Sequence, residues 1–263
     1  MNQRSRRILL IRMLTEERGL GEPVPEDDAG QRRMLRRLLN TRPAVPADTE
    51  LLELQDEYLS EAVRSRGIVD PSDLAHFGDR IVLWKGDITR LDVDAVVDAA
   101  NGRLTGCWDP NHACVDNCIH TYAGMELRIE CARLMREQRR SEPVGSAVVT
   151  PAFNLPCRYV IHTVGPIVKG TVTDGDRVAL CSCYRSCLEA AEIRGFDTVA
   201  FCCISAGTFG FPGDEAAEIA VGTVSDFLSE HGLPSTVVFD VFLDSDEAAY
   251  LEVLERRGLR RTG

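Results

Sequence analysis

An α/β sandwich with a largely buried sheet, preceded by a helical segment, is the fold class the sequence predicts. Two observations carry it. From about Arg80 onward, short β-branched runs alternate with segments of helical periodicity, the pattern of strands layered against helices. Before that point the apolar residues recur at three- and four-residue spacing with arginines between them, which is a helical pattern. The chain has 263 residues, which suits one large domain or a domain with an appendage, and its 44% hydrophobic content is enough to fill a real core.

In chain order, ILLIRMLTEERG, QRRMLRRLLNTRP and ELLELQDEYLSEAVRSRG predict two or three helices. They are joined by the Pro-rich GEPVPEDD and TRPAVPADTE, and Pro46–Thr49 supplies a helix start. Their arginines are expected to line solvated faces or to pair with acids. The runs IVLW, DAVVDAA, SAVVTPAF, RYVIHTV, TVAFCCI and TVVFDVFL then predict strands. Helices are expected near 114–138, 175–194, 213–230 and 246–258. No internal repeat or low-complexity segment interrupts the alternation.

Charge narrows the functional classes. The formal net charge is −11, so long-range repulsion disfavours bulk binding to nucleic-acid backbones. A small anionic ligand remains open, because a nest of backbone N–H groups holds phosphate without net positive charge. No stretch has the apolar length needed to span a bilayer. The start, MNQRSRRILLIRMLTEERGL, has an apolar run interrupted by Arg12 and lacks the pattern of a secretory signal. The ten cysteines are therefore expected to be free thiols in a cytoplasmic protein. Most of them (Cys118, Cys131, Cys181, Cys183, Cys187, Cys202, Cys203) fall in helical or strand segments and read as small buried apolar residues.

Three segments fall at the ends of predicted strands, where α/β folds place ligand sites. GDITRLDVDAVVDAAN runs through a turn into a strand ending at Asn101. In ISAGTFGFPGDEAAEIA a strand ends in a glycine loop that opens a helix. Gly207 and Gly210 allow a sharp turn and close approach to a ligand, and Pro212 suits the helix start. The helix then points its N–H groups into the loop, an arrangement that favours a pyrophosphate. The third segment, GCWDPNHAC, joins a strand to a helix by an unusually long loop holding two thiols and an imidazole. A metal site, a redox pair and a chance feature of a cysteine-rich chain are all open readings of it.

Taken together, GDIT, the run L-x-VDA-V-V-x-AAN, D-N-x-IH-x-x-AG, VIHTVGP and S-A-G-x-FG-F-P resemble the macrodomain family of ADP-ribose-binding proteins. The resemblance covers about residues 80–245 in the expected order. It implies a three-layer α/β/α fold with a mixed central sheet, residues 79–263, preceded by a helical N-terminal extension, residues 1–78. Most macrodomains carry a run of glycines where this chain has CWDPNHAC. A C-x4-H-x-C insertion there resembles the zinc-dependent microbial branch, which removes ADP-ribose from proteins.

On that footing the loop reads as a Zn2+ site on Cys107, His112 and Cys114. Two thiolates and one imidazole suit zinc, and three protein ligands with one open position are the pattern of a catalytic metal. A closed site with Cys118 or another cysteine as fourth ligand is the structural alternative. A redox pair fits less well, since the spacing is not C-x-x-C.

The resemblance implies that Asn101 holds the distal ribose, although by itself it need only turn the chain. It makes Asp116 a carboxylate that positions water or a hydroxyl, although Asp116 also suits a helix cap. Asp87 and Ile88 would take the adenine. The stretch Ser205, Ala206, Gly207, Thr208, Phe209, Gly210 and Phe211 would take the pyrophosphate. His120 lies one helical turn beyond Asp116 and reads as packed support or as a participant. Phe242 reads as core or as a stacking surface for adenine, and His162 as structural.

One residue departs from the pattern: Asp98 stands where the family usually has asparagine, inside a strand. A buried carboxylate there must be paired, hydrogen-bonded or protonated. The expected activity is hydrolysis of mono-ADP-ribose from a protein side chain. Zinc would serve as Lewis acid or as generator of the nucleophile, and ADP-ribose would be the product. A lipoyl-carrier protein modified by a sirtuin-type transferase is the partner the resemblance implies. A reader that binds without cleaving, and a hydrolase of a free derivative such as O-acetyl-ADP-ribose, are the alternatives.

Overall fold

Each amino-terminal helix has its own start signal. α1 (Gln3–Glu17) begins behind Asn2, α2 (Asp28–Thr41) behind Asp27 and α3 (Thr49–Ser65) behind Asp48; each cap side chain accepts a first-turn amide that would otherwise lack a partner. The apolar stripes of these helices meet in a core of their own, built on Leu10, Ile11, Leu14, Leu35 and Leu38. The computed structural model describes residues 1–262; Gly263, the last residue of the expected 79–263 portion, lies outside them.

Several arginines of this segment are not on solvated faces. Arg42 is buried, and its guanidinium grips Glu17 through two bonds of 2.6 and 2.9 Å. Arg7 is buried too, bonded to Asp28 and to Gln31. Pairing with acids, the other expectation, describes both.

The strands follow: β1 (His76–Phe77), β2 (Ile81–Lys85), β3 (Ala95–Ala100), β4 (Ala147–Pro151), β5 (Tyr159–Val164), β6 (Thr198–Phe201), β7 (Thr236–Val241) and β8 (Arg261–Thr262). They form one mixed 8-stranded sheet in the order β4-β5-β3-β6-β7-β2-β1-β8. The run from β5 to β2 is parallel, and antiparallel β4 and β1 flank it. Residues on both faces of β3, β5 and β7 are buried, as in a sheet covered on both sides. β1 and β8 are two residues each, too short to show any alternation in the sequence.

α6 (Asp174–Arg194), α7 (Gly213–Glu230) and α8 (Asp244–Arg256) pack side by side as one helical layer. α4 (Val115–Ala123) and α5 (Met125–Gln138) lie against β3 and β4, and the amino-terminal helices cover them. The sequence suggests one helix over 114–138, but the chain breaks at Gly124. There φ is +97°, and a Cβ would strike the side-chain amide of Gln55. That amide belongs to α3, and its oxygen accepts the Met125 N–H at 2.7 Å.

Met125 then inserts its side chain into the core of the amino-terminal helices. This contact ties α5 to the amino-terminal helices. Met125→Ala is expected to lower stability by about 2–4 kcal/mol, read by denaturant titration. Limited proteolysis of that variant should cut first within the connectors of α1, α2 and α3.

Candidate active site

All the parallel strands end at the same edge of the sheet, so the loops after β2, β3, β5, β6 and β7 border one crevice. The loop after β3 is held in shape by conformational demands at its turns. Gly106 has φ of +80°, and a Cβ there would meet the His120 ring at 2.8 Å. Asn111 also takes a left-handed φ, +60°, a conformation asparagine tolerates. Between these turns the loop folds back, and the ligand atoms of Cys107, His112 and Cys114 come within 4.8 Å of one another.

The donor set fits zinc. Cys107 Sγ lies 3.6 Å from His112 Nδ1, and tetrahedral zinc with bonds of about 2.0–2.3 Å places its ligands roughly 3.3–3.8 Å apart. Cys114 caps α4, its sulfur accepting the Asn117 N–H at 3.4 Å. Burial, with the neighbouring Cys107 also contributing, pushes the Cys114 thiol up to about 12. A cation must therefore displace a proton to bind there, so affinity would rise with pH. Cys118 is not within reach of all three donors; its sulfur instead accepts from Arg36 at 3.4 Å.

Beside this cluster Asn101 and Asp116 face each other. Asn101 Nδ2 donates to Asp116 Oδ2 at 3.3 Å and to the Gly106 carbonyl at 3.2 Å. Asp116 lies in the first turn of α4, not at its cap, and is buried with Oδ1 unpartnered. Burial, then the charge of Asp98, holds its carboxyl well above the usual carboxylate range. His120 Nε2 sits 3.5 Å from that free oxygen, yet burial drives the imidazole well below its ordinary value, so the two do not form an ion pair.

Behind them Asp98 and His162 are fully buried and bonded at 2.9 Å. The other nitrogen of His162 meets Thr150 Oγ1 at 3.0 Å and Cys131 Sγ at 3.7 Å. The departure from asparagine at residue 98 thus comes with a charge partner across β3 and β5.

In the loop after β6 the sharp backbone falls at Ser205 (φ +62°) and Gly210 (φ +74°). Gly207 has no left-handed φ; what distinguishes it is open space beyond its Cα. Among the described residues the consecutive N–H groups of Gly207, Thr208 and Phe209 are not used in any hydrogen bond. With the amino end of α7 beside them, they form the concave donor set that suits a phosphate. Ser205 Oγ is buried without a partner and backs onto Gly165, where a Cβ has no room. Ala206 is half-buried beside it, while the Phe211 side chain is core.

At the far end, Asp87 Oδ1 accepts from the Thr89 amide and hydroxyl, and Oδ2 from Arg66 at 2.7 Å. Ile88 is buried, so only its backbone can meet a ligand. Phe242 is 71% exposed and is not core; it stands at the end of β7, beside β2. Sequence reasoning missed Arg66, which follows α3 and lies 3.6 Å over the Tyr122 ring. It also missed Arg36, Asn40 and Arg128. None of these carries a local motif, because their partners are 23 to 89 residues away in the chain.

The fold and crevice define a three-layer α/β protein with a loop of unused backbone amides on one side and a thiol–imidazole cluster on the other. The chain belongs to the macro domain family, whose pattern matches residues 97–220. It is 49% identical over 261 residues to a protein-ADP-ribose hydrolase of Treponema medium, covering 97% of this chain and 100% of that one. A protein-ADP-ribose hydrolase of Staphylococcus aureus (strain MSSA476) is 48% identical over 225 residues, 85% of this chain and 84% of that one. Among solved structures, the Oceanobacillus iheyensis macrodomain with ADP superposes with a TM-score of 0.64 at 34% identity, over 70% of this chain and 95% of that one. The Trypanosoma brucei macrodomain in complex with ADP-ribose gives 0.63 at 30% identity, over 82% and 94%.

The Asp98–His162 pair generates a pH signature. Burial alone pushes His162 down, but the Cys131 sulfur and the Asp98 carboxylate outweigh it and hold the imidazole well above the ordinary range. A histidine raised in the folded state contributes stability in full below its unfolded value of about 6.5, and that stability is lost as pH climbs through the folded value. Asp98→Asn is expected to cost about 3 kcal/mol near pH 6 by stranding the imidazolium. It should also flatten the decline on the alkaline side, as read by thermal melts from about pH 6 to 9. An identical pH profile in the variant contradicts the ion pair.

Proposed function

We propose that this chain is a zinc-dependent protein-ADP-ribose hydrolase that removes mono-ADP-ribose from a modified protein side chain. The single observation that carries the reading is the convergence of Cys107, His112 and Cys114 beside the Asn101–Asp116 pair, in the crevice that also holds the glycine loop. The protein-ADP-ribose hydrolases of similar sequence support it. Zn2+ held by Cys107, His112 and Cys114 would supply Lewis-acid chemistry next to the distal ribose.

The chain's own residues do the rest. The free N–H groups of Gly207, Thr208 and Phe209 hold the pyrophosphate, and the Ser205–Phe211 loop shapes its seat. Asp87 accepts from the adenine amino group, the Ile88 backbone lies against the ring, and Phe242 offers an exposed face at the same end. Asn101 orients the distal ribose, donating from the amide it now shares between Asp116 and Gly106. Asp116 keeps one buried oxygen free to position water or a ribose hydroxyl at the anomeric carbon, where the bond to the protein breaks.

The extension, 1–78, and the macrodomain, 79–263, act as one unit in this reading. The product is ADP-ribose. A lipoyl-carrier protein modified by a sirtuin-type transferase is the proposed acceptor. A cytoplasmic setting accords with ten free cysteines, and no helix among the described residues is long and apolar enough to cross a membrane.

The test is incubation with a mono-ADP-ribosylated acceptor, with and without a zinc chelator. Release of label that the chelator abolishes is the expected result. Retained label alongside tight ADP-ribose binding would make the protein a reader instead. Asn101→Ala is expected to lower kcat by on the order of 100-fold, and Asp116→Ala by about 100- to 10,000-fold. ADP-ribose affinity should fall much less in both.

A further inference from the structure

The thiol loop has a fourth sulfur close by. Cys114, the cap of α4, and Cys118, in its first turn, stand four residues apart, with the Cys118 N–H bonded to the Cys114 carbonyl. Nothing in that spacing keeps Cys118 out of the metal site. As a third thiolate it would complete a Cys3His set, the composition of a closed structural zinc site with no position for substrate or water.

Cys118 is engaged elsewhere. Arg36, on α2, sends Nη2 to the Cys118 sulfur at 3.4 Å, to the His112 carbonyl at 2.7 Å and to Asn117 Oδ1 at 2.9 Å, while its Nε meets the same Asn117 oxygen at 3.2 Å. One guanidinium therefore grips the backbone of the ligand residue His112 and the sulfur of Cys118. Asn117 extends the grip, its amide donating to the Asp109 carbonyl at 3.0 Å and the Cys107 carbonyl at 3.4 Å. Asn40 of the same helix accepts the Asn111 N–H at 3.1 Å. A rigid, half-buried guanidinium with several acceptors fixed around it is well suited to hold two parts in register.

We propose that Arg36 is a positioning residue that keeps the metal site open, binding the Cys118 sulfur and the loop backbone together so that this thiol cannot become the fourth ligand. The helical extension is thereby part of the active site. The inference rests on the metal reading of Cys107, His112 and Cys114.

Cobalt substitution tests it, because thiolate-to-Co2+ charge-transfer absorption counts sulfur ligands directly. The full-length protein loaded with Co2+ should show two thiolates. Cys118→Ser should leave that spectrum unchanged. Arg36→Met, or Arg36→Gln if the first does not fold, should raise the thiolate band about 1.5-fold, the ratio of three thiolates to two. Hydrolysis should fall at the same time. The double variant Arg36→Met/Cys118→Ser should return both the two-thiolate spectrum and the activity.

An Arg36 variant that keeps two thiolates, or loses cobalt without gaining a third, overturns the proposal while leaving the metal reading intact. A wild-type spectrum with three thiolates, or one that Cys118→Ser diminishes, shows a closed site and overturns it as well. Failure of the wild-type protein to bind cobalt removes the metal reading, and this inference with it.

Discussion

A buried positive charge on α5 organises the region on which the rest of the site depends. Arg128 is 4% exposed, and burial pulls its guanidinium down to about 10. Such a group is tolerable only where acceptors surround it. Here Nη1 donates to the carbonyls of Leu39, Asn40 and Arg42, at and just past the carboxyl end of α2, and Nε donates to the Thr105 carbonyl at the base of the thiol loop. The Trp108 ring lies 4.5 Å from the guanidinium carbon. One side chain thus satisfies a helix end, anchors a loop and joins the extension to the sheet-bearing portion. Removing that charge would leave helix-end carbonyls without donors and the loop without its base.

The same logic of compensated burial runs through the crevice. Asp98 and His162 answer each other deep in the sheet, and Asn101 and Asp116 meet nearer the surface. Some buried polar atoms stay unpartnered; Asp116 Oδ1, both ring nitrogens of His120 and Ser205 Oγ belong to the loops and helix at this edge of the sheet, while those of Gln3 and Ser225 lie elsewhere. Buried polar atoms without partners are rare and costly in folded proteins. Those of Asp116, His120 and Ser205 are donors and acceptors the fold leaves available at a cost in stability. In an acidic chain of net charge −11, the groups at this loop that would suit an anion are free amides and a helix end.

Most of the fold was legible because its signals are local. Six β-branched runs became β2 to β7, and the helices at 175–194 and 213–230 were found nearly to the residue. Gly124 was visible in the sequence, but its meaning was not. Only the approach of Gln55 from α3, with a φ no side chain favours, shows why one helix must become two. The loop C-x4-H-x-C could be read as a metal-binding pattern, since ligand chemistry follows from residue type and spacing. Gly207, by contrast, was expected at a sharp turn that instead falls to Ser205 and Gly210. Of the two readings open for Phe242, its exposure removes the core one, while Ile88 is core and leaves only its backbone to a ligand.

By itself the sequence determined the order of most elements, the charge that disfavours bulk nucleic-acid binding, and the identity of the soft donors in GCWDPNHAC. Each of these depends on residues close together in the chain or on the composition as a whole. Only the tertiary structure decided which groups meet. Arg36 finds Cys118 across 82 positions, Asp98 finds His162 across 64, and Arg66 finds Asp87 across 21. Those contacts leave no periodicity or motif, because a side chain's partner is set by how helices and strands pack and not by what lies next to it in the chain.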